Sequence, residues 1–225
     1  MFEQLMQLPL FQGLSSEAIS LLVEKYPFHF LKFHPGDCIV EAGEGNSHAR
    51  FVVSGRARLQ TVFPHLQVEL SHILCAPHVL GADTLFGITT TYPYRVTAAD
   101  TCGILQITKS DYISMLQSDK VLLFNILNHL SLKGQRFRNS VLNIKQCTVM
   151  ERLGIIVETL TTRRSTDVTL TYRQKDFCAL LGTQRNTLMS AIDVLADAEM
   201  VECDGNRLII PDLRKFLAYC KDANQ

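Results

Sequence analysis

Three consecutive side chains near residue 185 are of the types that read the edges of DNA bases: Gln184, Arg185 and Asn186. An arginine can donate two hydrogen bonds to guanine O6 and N7, and an asparagine or glutamine amide can pair with adenine N6 and N7. Such groups reach the bases only when a helix carries them into the major groove. The elements around them therefore decide whether the pattern has a function.

The stretch 171–196 predicts two short helices joined by a tight turn. Thr171 and Gln174 fit a capping box at the start of the first helix. Gly182 can adopt the left-handed conformation that ends a helix, and Thr183 can cap the second one. The second helix carries an apolar face: Leu188, Ile192 and Leu195. This is the pattern of a helix-turn-helix, although an αα-hairpin inside an ordinary helical domain remains an alternative for this stretch alone.

A predicted β-hairpin follows the helix pair directly. Residues 200–202 and 208–210 are predicted to be its two strands, and Asp204-Gly205-Asn206 is predicted to form the turn between them. A hairpin in this position is typical of a winged helix-turn-helix. A helix over 150–161 should precede the pair, a polar loop over 161–169 should follow that helix, and a short helix over 211–219 should close the chain.

Residues 28–108 change to a period of two, with frequent turns. Strands are expected at 38–40, 51–53, 56–62, 68–74, 94–98 and 103–108, and a short helix or loop at 81–87. Many short strands without intervening helices indicate an antiparallel roll or sandwich and argue against a Rossmann sheet.

A long helix is expected after the strands, with Asp119 as its cap. Its apolar residues alternate steps of four and three over three heptads, which predicts a coiled-coil seam between two copies of the chain. The seam residues are Leu123, Leu127, Leu130, Gly134, Phe137, Val141 and Ile144. The alternative is a core helix packed within its own domain. The narrow stripe and the basic flanks, such as Lys133 and Arg136, favour the dimer.

Together these elements predict an α+β chain in three parts. Residues 1–117 would form an antiparallel β-roll that acts as a sensor, residues 118–146 a long dimerisation helix, and residues 147–225 a winged helix-turn-helix that binds DNA.

Composition limits the function classes. The chain has 225 residues and a formal net charge of zero, but four basic residues and no acid lie between 121 and 150. A local positive face is therefore possible. Seven cysteines, with no C-x-x-C pair, argue for reduced thiols in a cytoplasm. The N-terminus has no signal-peptide character, and the apolar runs are too short to cross a membrane.

In this order, the roll, the seam helix and the winged helix-turn-helix resemble a CRP/FNR-family transcriptional regulator. In the roll the resemblance lies in Pro35-Gly36-Asp37, Gly43 and Val53-Ser54-Gly55. In the helix pair it lies in residues 181–188, at the start of the second helix, which we call the reading helix. The resemblance implies a cyclic-nucleotide-binding-like jelly roll and a homodimer on a pseudo-palindromic DNA site. The two reading helices would enter successive major grooves about 34 Å apart. It also implies RNA polymerase as a partner.

The resemblance assigns roles by position. The base-contacting residues would be Gln184, Arg185, Asn186 and Ser190, and the phosphate-contacting residues Arg173, Gln174, Thr183 and Thr187. Asn186 stands where the family often has an acidic residue, and Ser190 where one branch has a second arginine. The target half-site should therefore differ from the usual one.

The same resemblance places an effector pocket at Gly81, Ala82, Leu85, Tyr94 and Arg95. The cyclic-nucleotide branch needs a glutamate where this chain has Ala82. The arginine that binds the cyclic phosphate in that branch corresponds to Pro93 or Tyr94 here. Arg95 therefore lies one or two positions beyond the expected place. A shift of one residue along a strand moves a side chain to the other face. A typical cyclic-AMP response is therefore not expected, although a cyclic-nucleotide-responsive regulator remains an alternative.

Other effectors stay open. The iron–sulfur branch needs a cysteine cluster near the N-terminus, and the first cysteine here is Cys38. Some relatives bind haem in the roll and respond to nitric oxide. In this chain Cys75 and His78 are candidate haem ligands. Each is, taken singly, more often a buried small residue or a surface histidine.

Two other function classes compete with a DNA-binding regulator. A roll-fold metalloenzyme would need a cluster of histidines and carboxylates, and only His65, His72, His78 and Glu69 lie near one another in sequence, without an H-x-H pair. The chain is therefore not expected to be an enzyme. A ligand-binding module without DNA binding is the third class, because ten basic residues balance eleven acidic ones from Thr148 onward.

Overall fold

The computed structural model describes residues 5–143, 147–162 and 164–222. The chain divides into two compact units. The first unit comprises Met1–Ala57 and Cys75–Arg136, and the second comprises Arg58–Leu74 and Phe137–Gln225. The second unit therefore includes a segment that lies between two halves of the first along the chain.

The first unit is an antiparallel roll with helices packed on it. After a 3-10 helix at Pro9–Phe11, its elements are α1 (Ser16–Lys25), β1 (His29–Phe33), β2 (Cys38–Val40), β3 (His48–Ser54), β6 (His78–Leu80), β7 (Arg95–Ala98), β8 (Cys102–Thr108), α2 (Lys109–Ser118) and most of α3 (Lys120–Asn143). One sheet has the order β1-β8-β3-β6, and β2 pairs with β7. Every pairing of these strands is antiparallel.

The roll encloses its own apolar core. Phe51 and Leu105 from the sheet pack with Met115 of α2 and with Leu122 and Ile126 of α3. The strands bury alternate residues because successive side chains point to opposite faces. One side of α3 therefore belongs to the roll, and its other side is left to solvent.

Side-chain caps fix where the helices of the roll begin. The Thr108 hydroxyl accepts from the Asp111 N–H at the start of α2. Asp119 Oδ1 accepts from the Val121 N–H at 2.7 Å, which starts α3 one residue after the predicted cap. The predicted cap on the long helix is confirmed.

The second unit contains the helix pair and a sheet. Its elements are the β-hairpin of β4 (Arg56–Val62) and β5 (Val68–Cys75), then α4 (Val149–Leu160), β9 (Ser165–Tyr172), α5 (Gln174–Leu181), α6 (Arg185–Asp197), β10 (Glu202–Asp204), β11 (Arg207–Ile210) and α7 (Leu213–Asp222). The sheet has the order β10-β11-β9-β5-β4. Leu70, Val168, Phe177, Leu188 and Phe216 are fully buried in one core.

The predicted α+β class, with an antiparallel roll and C-terminal helices, is confirmed. Of the two forms expected for the segment 81–87, a short helix or a loop, the structure has the loop, made of turns and bends. One local expectation changes: the predicted polar loop over 161–169 is shorter, because β9 begins at Ser165. This strand forms because it pairs with β5 on one side and β11 on the other.

The hairpin 58–74 groups with the helix pair although it lies within the segment predicted as the sensor. The predicted division into domains 1–117, 118–146 and 147–225 therefore stays a prediction. The two compact units divide the chain differently, because each of them contains two separate segments.

Candidate nucleic-acid interface and effector pocket

The turn between α5 and α6 is a complete Schellman motif. Gly182 has φ 57° and ψ 46°, the left-handed conformation expected of it. Its N–H donates to the Ala179 carbonyl, and the Thr183 N–H donates to the Cys178 carbonyl at 3.0 Å. Because Gly182 and Thr183 complete the end of α5, the next helix begins at Arg185 with Gln184 as its N-cap. The prediction that Thr183 caps this helix is wrong.

The predicted capping box of Thr171 and Gln174 is also wrong. Thr171 lies in β9, and the N-cap of α5 is Arg173, whose side chain makes no capping hydrogen bond. The β4–β5 hairpin supports this helix start instead. The Gln67 N–H donates to Asp176 Oδ2, and the Gln67 carbonyl accepts from the Arg173 N–H at 2.8 Å.

Helix α6 buries its predicted apolar face and presents its polar face to solvent. Its buried residues are Leu188, Ile192 and Leu195. Its exposed residues include the four candidate base readers: Gln184, Arg185, Asn186 and Ser190. The Gln184 side chain makes no capping hydrogen bond, so its amide is not committed to the helix end. A contiguous row of base-reading side chain types therefore faces outward.

The candidate phosphate-contacting residues flank this row. Arg173 and Thr187 are exposed, and Gln174 and Thr183 are half-buried. The Gln174 amide donates to the sulfur of Met189 at 3.2 Å and so connects the start of α5 to the reading helix. Whether these side chains contact DNA stays a prediction.

The predicted wing is present as β10 and β11. Leu208 and Ile210 anchor it in the core, and Gly205 turns with a positive φ of 58° at its tip. Arg207 supplies a cation on the exposed wing beside the carboxylates of Glu202 and Asp204. The exposed charges of the wing are therefore mixed in sign, and whether the wing contacts DNA stays a prediction.

The predicted seam lies on the solvent side of α3. Leu123 is 37% exposed, Leu127 48% and Phe137 60%. Leu130 is partly buried against the core of the roll, and a Cβ added at Gly134 would meet nothing within 4 Å. Ile144 and the Val141 side chain lie outside the described residues. Other large apolar side chains of the same helix are also exposed: Phe124, Leu132 and Leu142. Whether a second helix covers the seam residues stays a prediction.

Three of the five candidate effector residues meet around one turn of the roll. The Gly81 N–H donates to the Tyr94 hydroxyl oxygen at 2.7 Å, and Ala82 follows half-buried. Burial raises the pKa of Tyr94 above its ordinary value, which keeps the phenol neutral. Leu85 belongs to the apolar core below.

Arg95 does not join this group. Its guanidinium is exposed and pairs with Glu41 at 3.2 Å on the outside of the roll. Hydrogen bonding to Cys38 and the charge of Glu41 raise the pKa of Arg95. This position carries no free cation toward the Gly81 turn.

The sequence analysis missed two buried polar residues beside Gly81. A Cβ at Gly81 would lie 2.5 Å from the Tyr92 ring and 2.7 Å from Asn46 Nδ2, so only glycine fits. Asn46 Nδ2 donates to the Gly81 carbonyl at 2.8 Å. Within the described part of the chain Asn46 Oδ1 is buried without a hydrogen-bond partner, and the Tyr92 hydroxyl is buried near Arg50. No local pattern marks these residues, because Asn46 is 35 positions from Gly81.

Cys75 and His78 lie at the end of β5 and the start of β6, on either side of the Ala76–Pro77 peptide. Both are half-buried. Over the described ranges, no three or more His, Cys, Asp and Glu residues group closely enough to hold a metal ion.

Residues 30–119 match the cyclic nucleotide-binding domain family. Over 143 residues, 64% of this chain, the sequence is 28% identical to the potassium channel SKOR of Arabidopsis thaliana, of which the match spans only 16%. The family match spans strands of the roll together with the β4–β5 hairpin.

Solved structures extend the similarity to the whole chain. The catabolite activator protein of Thermus thermophilus is 19% identical, with 97% of this chain and 100% of that chain covered and a TM-score of 0.53. CLP of Xanthomonas campestris, described as a global regulator responsive to c-di-GMP, is 13% identical with a TM-score of 0.52, covering 88% of this chain and 100% of its own. The chain thus has the fold of the CRP/FNR-family transcriptional regulators. No described helix is long and apolar enough to span a membrane.

Proposed function

We propose that this chain is a sequence-specific DNA-binding transcriptional regulator that acts as a homodimer and is not an enzyme. The observation that carries the proposal is the exposed row Gln184, Arg185, Asn186 and Ser190 at the start of α6. The Schellman turn at Gly182 and the buried face of Leu188, Ile192 and Leu195 leave this row outward, as a helix entering a major groove requires. RNA polymerase is its further partner by resemblance.

Replacement of Arg185 tests base reading. Duplexes preferred by the wild-type protein would first be selected from a random library. Arg185→Ala should then cost about 1–3 kcal/mol in binding to the selected duplex and relax preference at one base pair of each half-site. Fluorescence anisotropy at several salt concentrations measures both the affinity and the number of phosphate contacts.

Arg214→Ala is the matched control, because Arg214 is an exposed arginine on α7, outside the reading helix and the wing. It should leave base preference unchanged. Equal binding of selected and random duplexes by the wild-type protein would contradict the proposal and favour a ligand-binding module without DNA binding.

The dimer proposal is supported by the exposed apolar residues of α3. The stripe through Leu123, Leu127 and Phe137 has heptad spacing, and Gly134 permits close backbone approach. A second copy of the same helix matches that spacing. Pairing through α3 would give the two reading helices a fixed separation of one DNA turn.

We propose that the roll responds to an effector other than a cyclic nucleotide bound through a carboxylate and an arginine. Ala82 has no carboxylate, Arg95 pairs with Glu41, and the Tyr94 hydroxyl occupies the Gly81 N–H. Titration calorimetry with cyclic AMP, cyclic GMP and cyclic di-GMP tests this. Micromolar binding of cyclic AMP that is lost in Arg95→Ala would contradict it.

Haem sensing of nitric oxide is the other candidate from the sequence, and the geometry does not favour it. One cavity of the roll, which Val79, Ala82 and His129 line among others, has a volume of about 10 Å³, room for about one water molecule, and neither Cys75 nor His78 lines it. An absorption spectrum after haem addition, with and without nitric oxide, is the test. A saturable Soret band that Cys75→Ala or His78→Ala removes would restore this candidate.

A further inference from the structure

We propose that Arg152 of α4 is a positioning residue for the reading helix, because its guanidinium donates hydrogen bonds to backbone carbonyls of the turn between α5 and α6. The proposal rests on the proposed DNA-binding function and identifies a residue that fixes the position of the base-reading side chains. Arg152 lies outside the helix pair, and nothing in its sequence position marks it for this role.

Arg152 satisfies acceptors that the helix end leaves open. Its Nη1 donates to the Leu181 carbonyl at 2.6 Å and to the Gly182 carbonyl at 3.2 Å. The last four carbonyls of a helix have no partner within it. The Schellman bonds use those of Cys178 and Ala179, and Arg152 takes the carbonyls at the turn itself.

The contact is electrostatically favourable. The C-terminal end of a helix carries partial negative charge, which a cation stabilises. Hydrogen bonds from a charged donor are shorter and stronger than neutral ones, as the 2.6 Å contact illustrates. Arg152 is half-buried, so water competes with this contact less than at an exposed site.

The turn that Arg152 holds determines where α6 starts. Gly182 and Thr183 set the direction of the chain immediately before Arg185, the candidate guanine reader. A Cβ at Gly182 would lie 3.3 Å from Arg152 Nη1, so the glycine also leaves room for the guanidinium. A shift of the turn would displace the base-reading row as a unit.

The other side of Arg152 is tied to the start of its own helix. Its Nε donates to the Thr148 carbonyl at 3.4 Å, and Thr148 forms a capping box with Glu151. Thr148 follows the end of α3 by five residues. Arg152 therefore joins the start of α4 to the turn that precedes the reading helix. Movement of the α4 start would move that turn with it.

The test compares full-length Arg152→Ala and Arg152→Lys with the wild-type protein. Arg152→Ala should weaken binding to the selected duplex by about tenfold, while binding to random duplex, which depends on phosphate contacts, changes by less than about threefold. Lysine keeps the charge but not the planar fork, so Arg152→Lys should fall between the two. An unchanged ratio of selected to random binding in Arg152→Ala would overturn the proposal.

The matched control is Thr161→Val, which removes the 2.7 Å hydrogen bond from the Thr161 hydroxyl to the Val157 carbonyl at the other end of α4. It should lower thermal stability without changing the ratio of selected to random binding. A ratio that falls equally in Thr161→Val would show that general destabilisation of α4 is the cause and would overturn the positioning role.

Hydrogen exchange without DNA separates this proposal from the proposed function. In Arg152→Ala the amides of residues 182–187 should exchange about tenfold faster than in the wild-type protein, while those of the roll keep their rates. Unchanged exchange at the turn would overturn the positioning role whatever the DNA result. Faster exchange in a protein that prefers no duplex would support it while the proposed function fails.

Discussion

His72 on β5 is fully buried. Burial lowers the pKa of His72 to about 4, and the nearby positive charge of Arg58 acts in the same direction. The imidazole is therefore neutral in the folded protein at neutral pH. An unfolded histidine has a pKa of about 6.5, so the unfolded state binds the extra proton first.

The sign of the pH dependence follows from this difference. Well above pH 6.5 both states are neutral at His72, and the residue contributes no pH dependence. As the pH falls from 7 to 5, only the unfolded state gains the proton, and the free energy of unfolding should drop by about 2 kcal/mol. Denaturant unfolding of the second unit at the two pH values measures this drop. His72→Leu should remove most of it, and an equal drop in that variant would contradict the assignment.

Glu199 ends the reading helix in a conformation that suits glycine. It has a φ of +58°, and its N–H donates to the Ala196 carbonyl while the Met200 N–H donates to the Leu195 carbonyl at 2.8 Å. This is a second Schellman-like end with a non-glycine residue in the left-handed position. Glu199→Gly should stabilise the protein by about 1 kcal/mol and raise the melting temperature by a few degrees. Glu202→Gly, on the exposed wing, is the control and should not stabilise.

At the scale of elements, the β4–β5 hairpin is part of the second unit. The strand β5 pairs with β9 from Val68 opposite Tyr172 to Leu74 opposite Ser165. Val68 and Leu70 are buried in the same core as the helix pair. The hairpin tip supports the start of α5 through Gln67. A segment within the family-matched range 30–119 is thus part of the unit that contains α6.

Leu70→Ala tests this assignment. The change should cost about 2–5 kcal/mol, because it removes a fully buried side chain and leaves a cavity. Hydrogen exchange should then speed up in α5 and α6, and the rates in β1 and β8 should stay unchanged. Leu105→Ala, in the core of the roll, is the matched control with the opposite pattern. Faster exchange confined to the roll in Leu70→Ala would contradict the assignment.

At the scale of the whole molecule, the exposed side of α3 determines the proposed assembly. Leu127→Asp would place an unpaired charge in a buried seam, which costs about 3–5 kcal/mol at such sites. Sedimentation at micromolar concentration should show a dimer for the wild-type protein and a monomer for Leu127→Asp. The variant should also lose affinity for a two-half-site duplex but not for a single half-site.

Leu21→Asp is the control for that experiment. Leu21 is an exposed leucine on α1, away from the predicted seam, so the same substitution there should leave the dimer intact. A monomeric wild-type protein, or a dimer that Leu127→Asp does not weaken, would contradict pairing through α3.

The features that the sequence predicted correctly depend on residues a few positions apart. The glycine turn at Gly182, the apolar face of α6, the strand 56–62 and the cap at Asp119 all follow from local periodicity and local hydrogen bonds. The misassigned caps at Thr171 and Thr183 fail by one or two residues, because β9 and the Schellman motif compete for the same backbone groups.

Only the tertiary structure decided the contacts between distant segments. Arg152 reaches a turn 29 residues away, the Gln67 N–H reaches Asp176 109 residues away, and Asn46 meets Gly81. Arg95 lies near Tyr94 in sequence but points to the outside of the roll, where it pairs with Glu41. Period and capping signals constrain the chain only over a turn or a strand pair. The register between strands and the packing of helices depend on burying the whole core at once, which no short pattern in the sequence encodes.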